Sequence, residues 1–122
     1  MATEYIRSEE KHKTLKDAVD EAYLGTISAT TKLEQTIRYK TGPFILDYQE
    51  FQNWFSILFN LTKNESEMVR QHKDLIIKIE RWQHNGSAVK SFRNINKKIV
   101  TEGIRLVHEW NSAIRSRDVI KQ

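Results

Sequence analysis

The chain has 122 residues, a formal net charge of +4, 30% charged residues, no cysteine, one proline and four glycines. That length suits one domain able to bury roughly two-thirds of its unfolded surface, so folding requires neither a metal nor a disulfide. The lack of cysteine excludes disulfides, thiol catalysis and Cys-ligated zinc, and so little turn punctuation points to long helices rather than sheet.

The first thirteen residues, MATEYIRSEEKHK, are charged throughout and read as a frayed N-terminal segment without a signal-peptide core. A helix is then predicted over residues 14–41. Leu15, Val19, Ala22, Thr26, Ala29, Leu33 and Ile37 recur at three- and four-residue steps, which places them on one face. The small residues at the centre of this stripe allow a neighbouring helix to approach closely. Gly42-Pro43 supplies the stop, with glycine expected in the left-handed position after the last turn. At 1.5 Å per residue the element is roughly 40 Å long.

Asp47 followed by Glu50 has the spacing of an N-terminal capping box and predicts a shorter helix over residues 48–61. Within it, FQNWFSILFNL holds seven apolar residues in eleven, four of them aromatic. Such a helix is apolar over most of its circumference and is expected to fill the centre of a bundle, with a contact surface for a partner as the second reading. Asn64 and Glu67 repeat the capping arrangement and open a third helix ending at Asn85-Gly86. Met68, His72, Leu75, Ile79 and Trp82 step by 4-3-4-3 along it, the spacing of a packed seam.

Ser87 is expected to cap the last helix, which continues to about residue 117, leaving 118–122 as a C-terminal tail. Its core face holds Phe92, Ile95, Ile99, Leu106, Trp110 and Ala113, with Gly103 as a point of close contact. The expected fold is all-α: one domain over residues 1–122, a mostly antiparallel four-helix bundle with long first and last helices and a short aromatic second one. Leu24, Ile27, Ile57 and Ile77 fall off the main stripes and are the candidate protein-interface residues.

The excess positive charge lies in the last third. Residues 86–122 contain eight basic and three acidic side chains, whereas residues 1–63 contain eight and nine. On a helical wheel Lys90, Lys97, Lys98, Arg105 and Arg115 share the outer face of the last helix with Thr101, His108 and Ser112, and Arg93 adds to the same basic segment. Lys90, Arg93, Lys97, Lys98, Arg105 and Arg115 are therefore the candidate contacts for an anionic partner. From Lys90 to Arg115 the row covers roughly 37 Å, and long cations interleaved with hydroxyls can neutralise successive phosphates. A solvated outer face is the plainer account, since cations near a helix C-terminus also favour the macrodipole. An acidic protein, a membrane surface or calmodulin-like capture are further alternatives, the membrane being the one not expected.

No chemistry-bearing motif is evident. The histidines, at positions 12, 72, 84 and 108, form no HExxH, and Glu9 with His12 gives a single Glu-x-x-His where a di-metal bundle needs two. No glycine-rich phosphate loop occurs. The expectation is a non-enzyme without cofactor, intracellular and cytoplasmic, that self-associates or docks a protein partner. The alternative is sequence-independent nucleic-acid binding or packaging through the phosphate backbone.

Overall fold

The computed structural model describes residues 14–85 and 97–121. The chain is all-α, with five helices and no strand among the described residues: α1 (Leu15–Tyr39), α2 (Phe44–Thr62), α3 (Ser66–Gln71), α4 (Lys73–Asn85) and α5 (Lys97–Lys121). No helix among them is long and apolar enough to cross a membrane.

α1 begins where its sequence places it. The Thr14 hydroxyl accepts a hydrogen bond from the Asp17 amide at 3.0 Å, satisfying one of the unpaired donors of the first turn. The far end departs from expectation. Lys40, not glycine, takes the first left-handed position after the helix (φ 52°), and Gly42 follows with φ 84°. Thr26 and Thr30 are buried, and each hydroxyl donates to the carbonyl one turn back, Ala22 O at 2.6 Å and Thr26 O at 2.7 Å. A hydroxyl satisfied within its own helix can sit in a core without an unpaired polar group. Leu15 and Ile37, expected in the core stripe, are 58% and 42% exposed. Leu15 is exposed because α1 has 25 residues and α2 has 19, so the first turns of α1 outrun its hairpin partner. Ile37 lies level with the first turn of α2 but lines the open groove towards α5.

α2 starts one turn before the predicted cap. Pro43 precedes the first helical residue, and Asp47 lies inside the first turn rather than at its edge. Pro43 itself takes the cap position and supplies no side-chain cap, so the Asp47 carboxylate, one turn further on, is left for another partner. It accepts a hydrogen bond from the Thr36 hydroxyl of α1 at 2.5 Å and stands 3.6 Å from Lys32 Nζ, which also lies 3.4 Å from Glu50. Contacts run backwards along α1 as they advance along α2: Thr36 with Asp47, Lys32 with Glu50, Gly25 with Trp54.

The aromatic stretch is core. Phe51, Phe55, Leu58 and Phe59 have no exposed surface, and Trp54 is half-buried over Gly25. Rings follow one another along α2 from Phe44 through Tyr48, Phe51 and Phe55 to Phe59, with centroid separations of 5.9–6.4 Å. Trp82 of α4 packs on Phe51 and Phe55, and Trp110 of α5 meets Phe59 edge-on at 5.0 Å. Edge-on and offset pairs add to the area term of burying such rings. The Trp110 indole N–H donates to Thr62 Oγ1 at 2.9 Å, and Thr62 in turn donates to Leu58 O at 2.7 Å, tying the end of α2 to α5.

The third predicted helix is two. His72 (φ −127°, ψ 32°) breaks it between α3 and α4, although the sequence has neither glycine nor proline there. Met68, Ile79 and Trp82 stay buried on either side of the break, while His72 and Leu75 are half-buried. The Asn64–Glu67 capping box does not form. Glu65 is the cap residue, and Glu67 instead accepts from Arg70 at 2.7 Å and Gln71 at 2.9 Å.

In α5 the expected core residues Leu106, Trp110 and Ala113 are buried and Ile99 is half-buried, but Val100, Val107 and Ile114 are buried too. The helix is therefore covered over a wider arc than one stripe. Gly103 is a close-contact point, as expected, with the Trp82 indole lying against it and donating its N–H to Ile99 O at 2.9 Å. α5 continues to Lys121, through residues expected to form a tail. Its predicted start at Ser87, together with Phe92 and Ile95, lies outside the described residues, as does the segment 1–13.

Candidate functional site

The outer side of α5 is built by default. Because Val100, Gly103, Leu106, Val107 and Trp110 are buried, the residues between them at 97, 98, 101, 102 and 105 are turned to solvent. Lys97, Lys98, Thr101, Glu102 and Arg105 line one shallow hollow of about 470 Å³. Three of the six candidate cations thus meet around a single hydroxyl and a single carboxylate. Arg115, assigned to the same row, has a different role: its Nη1 donates to the Tyr23 hydroxyl of α1 at 3.0 Å. His108 also reaches across, with Nε2 3.2 Å from Glu34 Oε2. Lys90 and Arg93 lie outside the described residues.

The Glu34–His108 bridge borders a second feature. A groove of about 500 Å³ runs between α1 and α5, walled by Thr31, Glu34, Gln35 and Arg38 on one side and by Thr101 and Ile104 on the other, with Ile37 and Tyr39 at the end of α1. Tyr39 is 64% exposed. Thr101 lines both the groove and the basic hollow, so the two depressions adjoin. Neither Arg38 nor Tyr39 stood out in the sequence, where they are merely the last polar turn of the first helix.

The candidate protein-interface residues are all solvent-facing: Leu24 at 66%, Ile57 at 48%, Ile77 at 43% and Ile27 at 36% exposure. Leu24 and Ile27 lie one turn apart on α1, Ile57 is on its hairpin partner α2, and Ile77 is on α4, which packs against α5. Leu46, also 64% exposed, joins them on α2; the predicted start of that helix had placed it in a loop, so its exposure carried no meaning in the sequence.

Among the described residues no group of three or more acidic or histidine side chains could hold a metal ion; Glu9 and His12 lie outside them. Two buried polar groups remain. Burial pushes the Tyr48 phenol up to about 12, so it is neutral at ordinary pH. Asn111, also buried, has a side-chain oxygen without a hydrogen-bond partner. The chain matches no family model, no curated protein and no solved structure.

Proposed function

We propose that this chain is a non-enzymatic, cytoplasmic helical-bundle protein that self-associates or docks a protein partner. In this reading α3 and α4 act as one bent member, and the chain forms a mostly antiparallel four-helix bundle with α1, α2 and α5 as the others. The observation that carries it is the set of large apolar side chains left open on the hairpin and on α4, Leu24, Leu46, Ile57 and Ile77, beside a core that already has its aromatic filling. An interface is what would cover large apolar side chains left open to solvent. Sedimentation equilibrium tests it. A dimer or larger species should form, and Ile57→Glu or Ile77→Glu should dissociate it without loss of helical circular dichroism. A protein monomeric at hundreds of micromolar that co-purifies with no partner would sink the reading.

A second reading is favoured by the clustering of Lys97, Lys98 and Arg105 around one hollow. Here the outer face of α5 neutralises the phosphates of a nucleic acid without reading its sequence. Reversal of all three charges should abolish binding and leave the helical content unchanged; affinity that survives the triple change would exclude this face.

A further inference from the structure

We infer that the basic hollow of α5 and the α1–α5 groove form one track for a single-stranded nucleic acid, with phosphates on Lys97, Lys98 and Arg105 and a base stacked on Tyr39. The inference rests on the second reading above and adds to it the strandedness of the ligand and a contact from α1.

Three observations carry it. The two depressions share Thr101, so a chain lying against the cations has the groove as its neighbour. The groove offers what a basic helix alone lacks: an aromatic ring 64% exposed, with Ile37 and Ile104 as apolar flanks and the Arg38 guanidinium beside it. Finally, the charges complement phosphate. Arg38, Lys97, Lys98 and Arg105 face the track against two carboxylates, Glu102 in the hollow and Glu34 in the groove, the latter within reach of His108.

Strandedness follows from the ring. In a duplex the base faces are stacked on one another and only phosphates and groove edges are presented, so an exposed tyrosine gains nothing. In a single strand each base has a free π-face, and aromatic stacking is the sequence-tolerant way to hold it. From Lys97 to Arg105 the helix advances about 12 Å, room for roughly two to three phosphates of a strand. An acidic peptide could answer the same cations, but it has no flat ring system to set on Tyr39.

The test is fluorescence anisotropy of a labelled oligothymidine, the duplex of equal length and a labelled polyglutamate peptide, each titrated with the protein at 50 and 200 mM salt. The single strand should bind more tightly than the duplex, and with four cations engaged the slope of log affinity against log salt should be about −3. Tyr39→Ala should weaken single-strand binding about five- to 100-fold with the slope unchanged, and Tyr39→Phe should retain it. Because Tyr39 is exposed, neither change threatens the fold. Glu102→Gln should tighten binding two- to threefold, a gain that an unfolded variant could not produce. Equal binding of duplex and single strand with Tyr39→Ala silent would overturn the track while leaving the basic face standing. Polyglutamate bound as tightly as the oligonucleotide would overturn it in favour of an acidic protein. No binding of any probe would remove both the track and the reading beneath it.

Discussion

Replacing Gly103 by alanine should destabilise the protein, although alanine is the better helix former. A Cβ built on Gly103 would lie 2.3 Å from Trp82 Cζ2, 2.8 Å from Cε2 and 2.9 Å from Cη2, well inside contact distance. The indole has nowhere to retreat. It is 6% exposed and backed by Phe51 and Phe55, both fully buried, with centroids 6.4 and 5.8 Å away. Moving it would also stretch the 2.9 Å hydrogen bond to Ile99 O. Overpacking costs about 1–3 kcal/mol and the hydrogen bond about 1 kcal/mol, against a gain of about 1 kcal/mol from propensity. The net loss is about 1–3 kcal/mol, and Tm should fall by about 4–12 °C. Urea melts of Gly103→Ala in the natural chain and in a Trp82→Leu background form a double-mutant cycle. Once the indole is gone, alanine at 103 should stabilise by about 1 kcal/mol. Gly25→Ala provides a contrast: its Cβ would meet Trp54 Cδ2 and Cε3 at 2.5 Å, but Trp54 is only half-buried and can swing outward, so the loss should be smaller than at 103. An unchanged Tm for Gly103→Ala, or the same effect in both backgrounds, would refute the account of glycine as the seat of the indole.

Three further outcomes are expected. Lys40→Gly should raise stability by about 0.5–1 kcal/mol, because a side chain in the left-handed region costs about 1–2 kcal/mol and glycine's extra unfolded-state freedom returns only part of that; a lower denaturation midpoint would contradict it. Asp47→Ala leaves the buried Thr36 hydroxyl without its acceptor and should cost about 1–3 kcal/mol, with a coupling to Thr36→Val of at least about 0.5 kcal/mol. Additive losses in that pair would mean the bond contributes nothing. Tyr48 governs alkaline stability: its phenol ionises near 10 when unfolded and near 12 when folded. Its contribution is therefore complete below pH 10 and is lost as pH rises towards 12, by up to about 2–3 kcal/mol. Tyr48→Phe should flatten the fall in stability across that window, measured by urea melts from pH 9 to 12.

The sequence by itself determined what depends on neighbours within a turn or two. The helical class, the start of α1 at Thr14, the burial of Phe51, Phe55, Leu58 and Phe59 and the close contact at Gly103 follow from capping chemistry, helical period and residue size, which act between positions i and i+4. Tertiary structure decided what requires two helices at once. Asp47 has the spacing of a cap, yet with Pro43 in the cap position its carboxylate is taken by Thr36, a partner eleven residues away. Leu15 and Ile37 continue an apolar stripe, but Leu15 lies beyond the end of the facing helix and Ile37 borders the open groove towards α5. Arg115 fits a basic row on the wheel but turns to Tyr23, a residue from the other end of the chain. Arg38 and Tyr39 gain meaning only because Thr101 of α5 stands across a groove from them. Side-chain pattern along one helix fixes which face is apolar; the distance and axial offset between two helices fix which residues meet, and those come from the packing of the whole core.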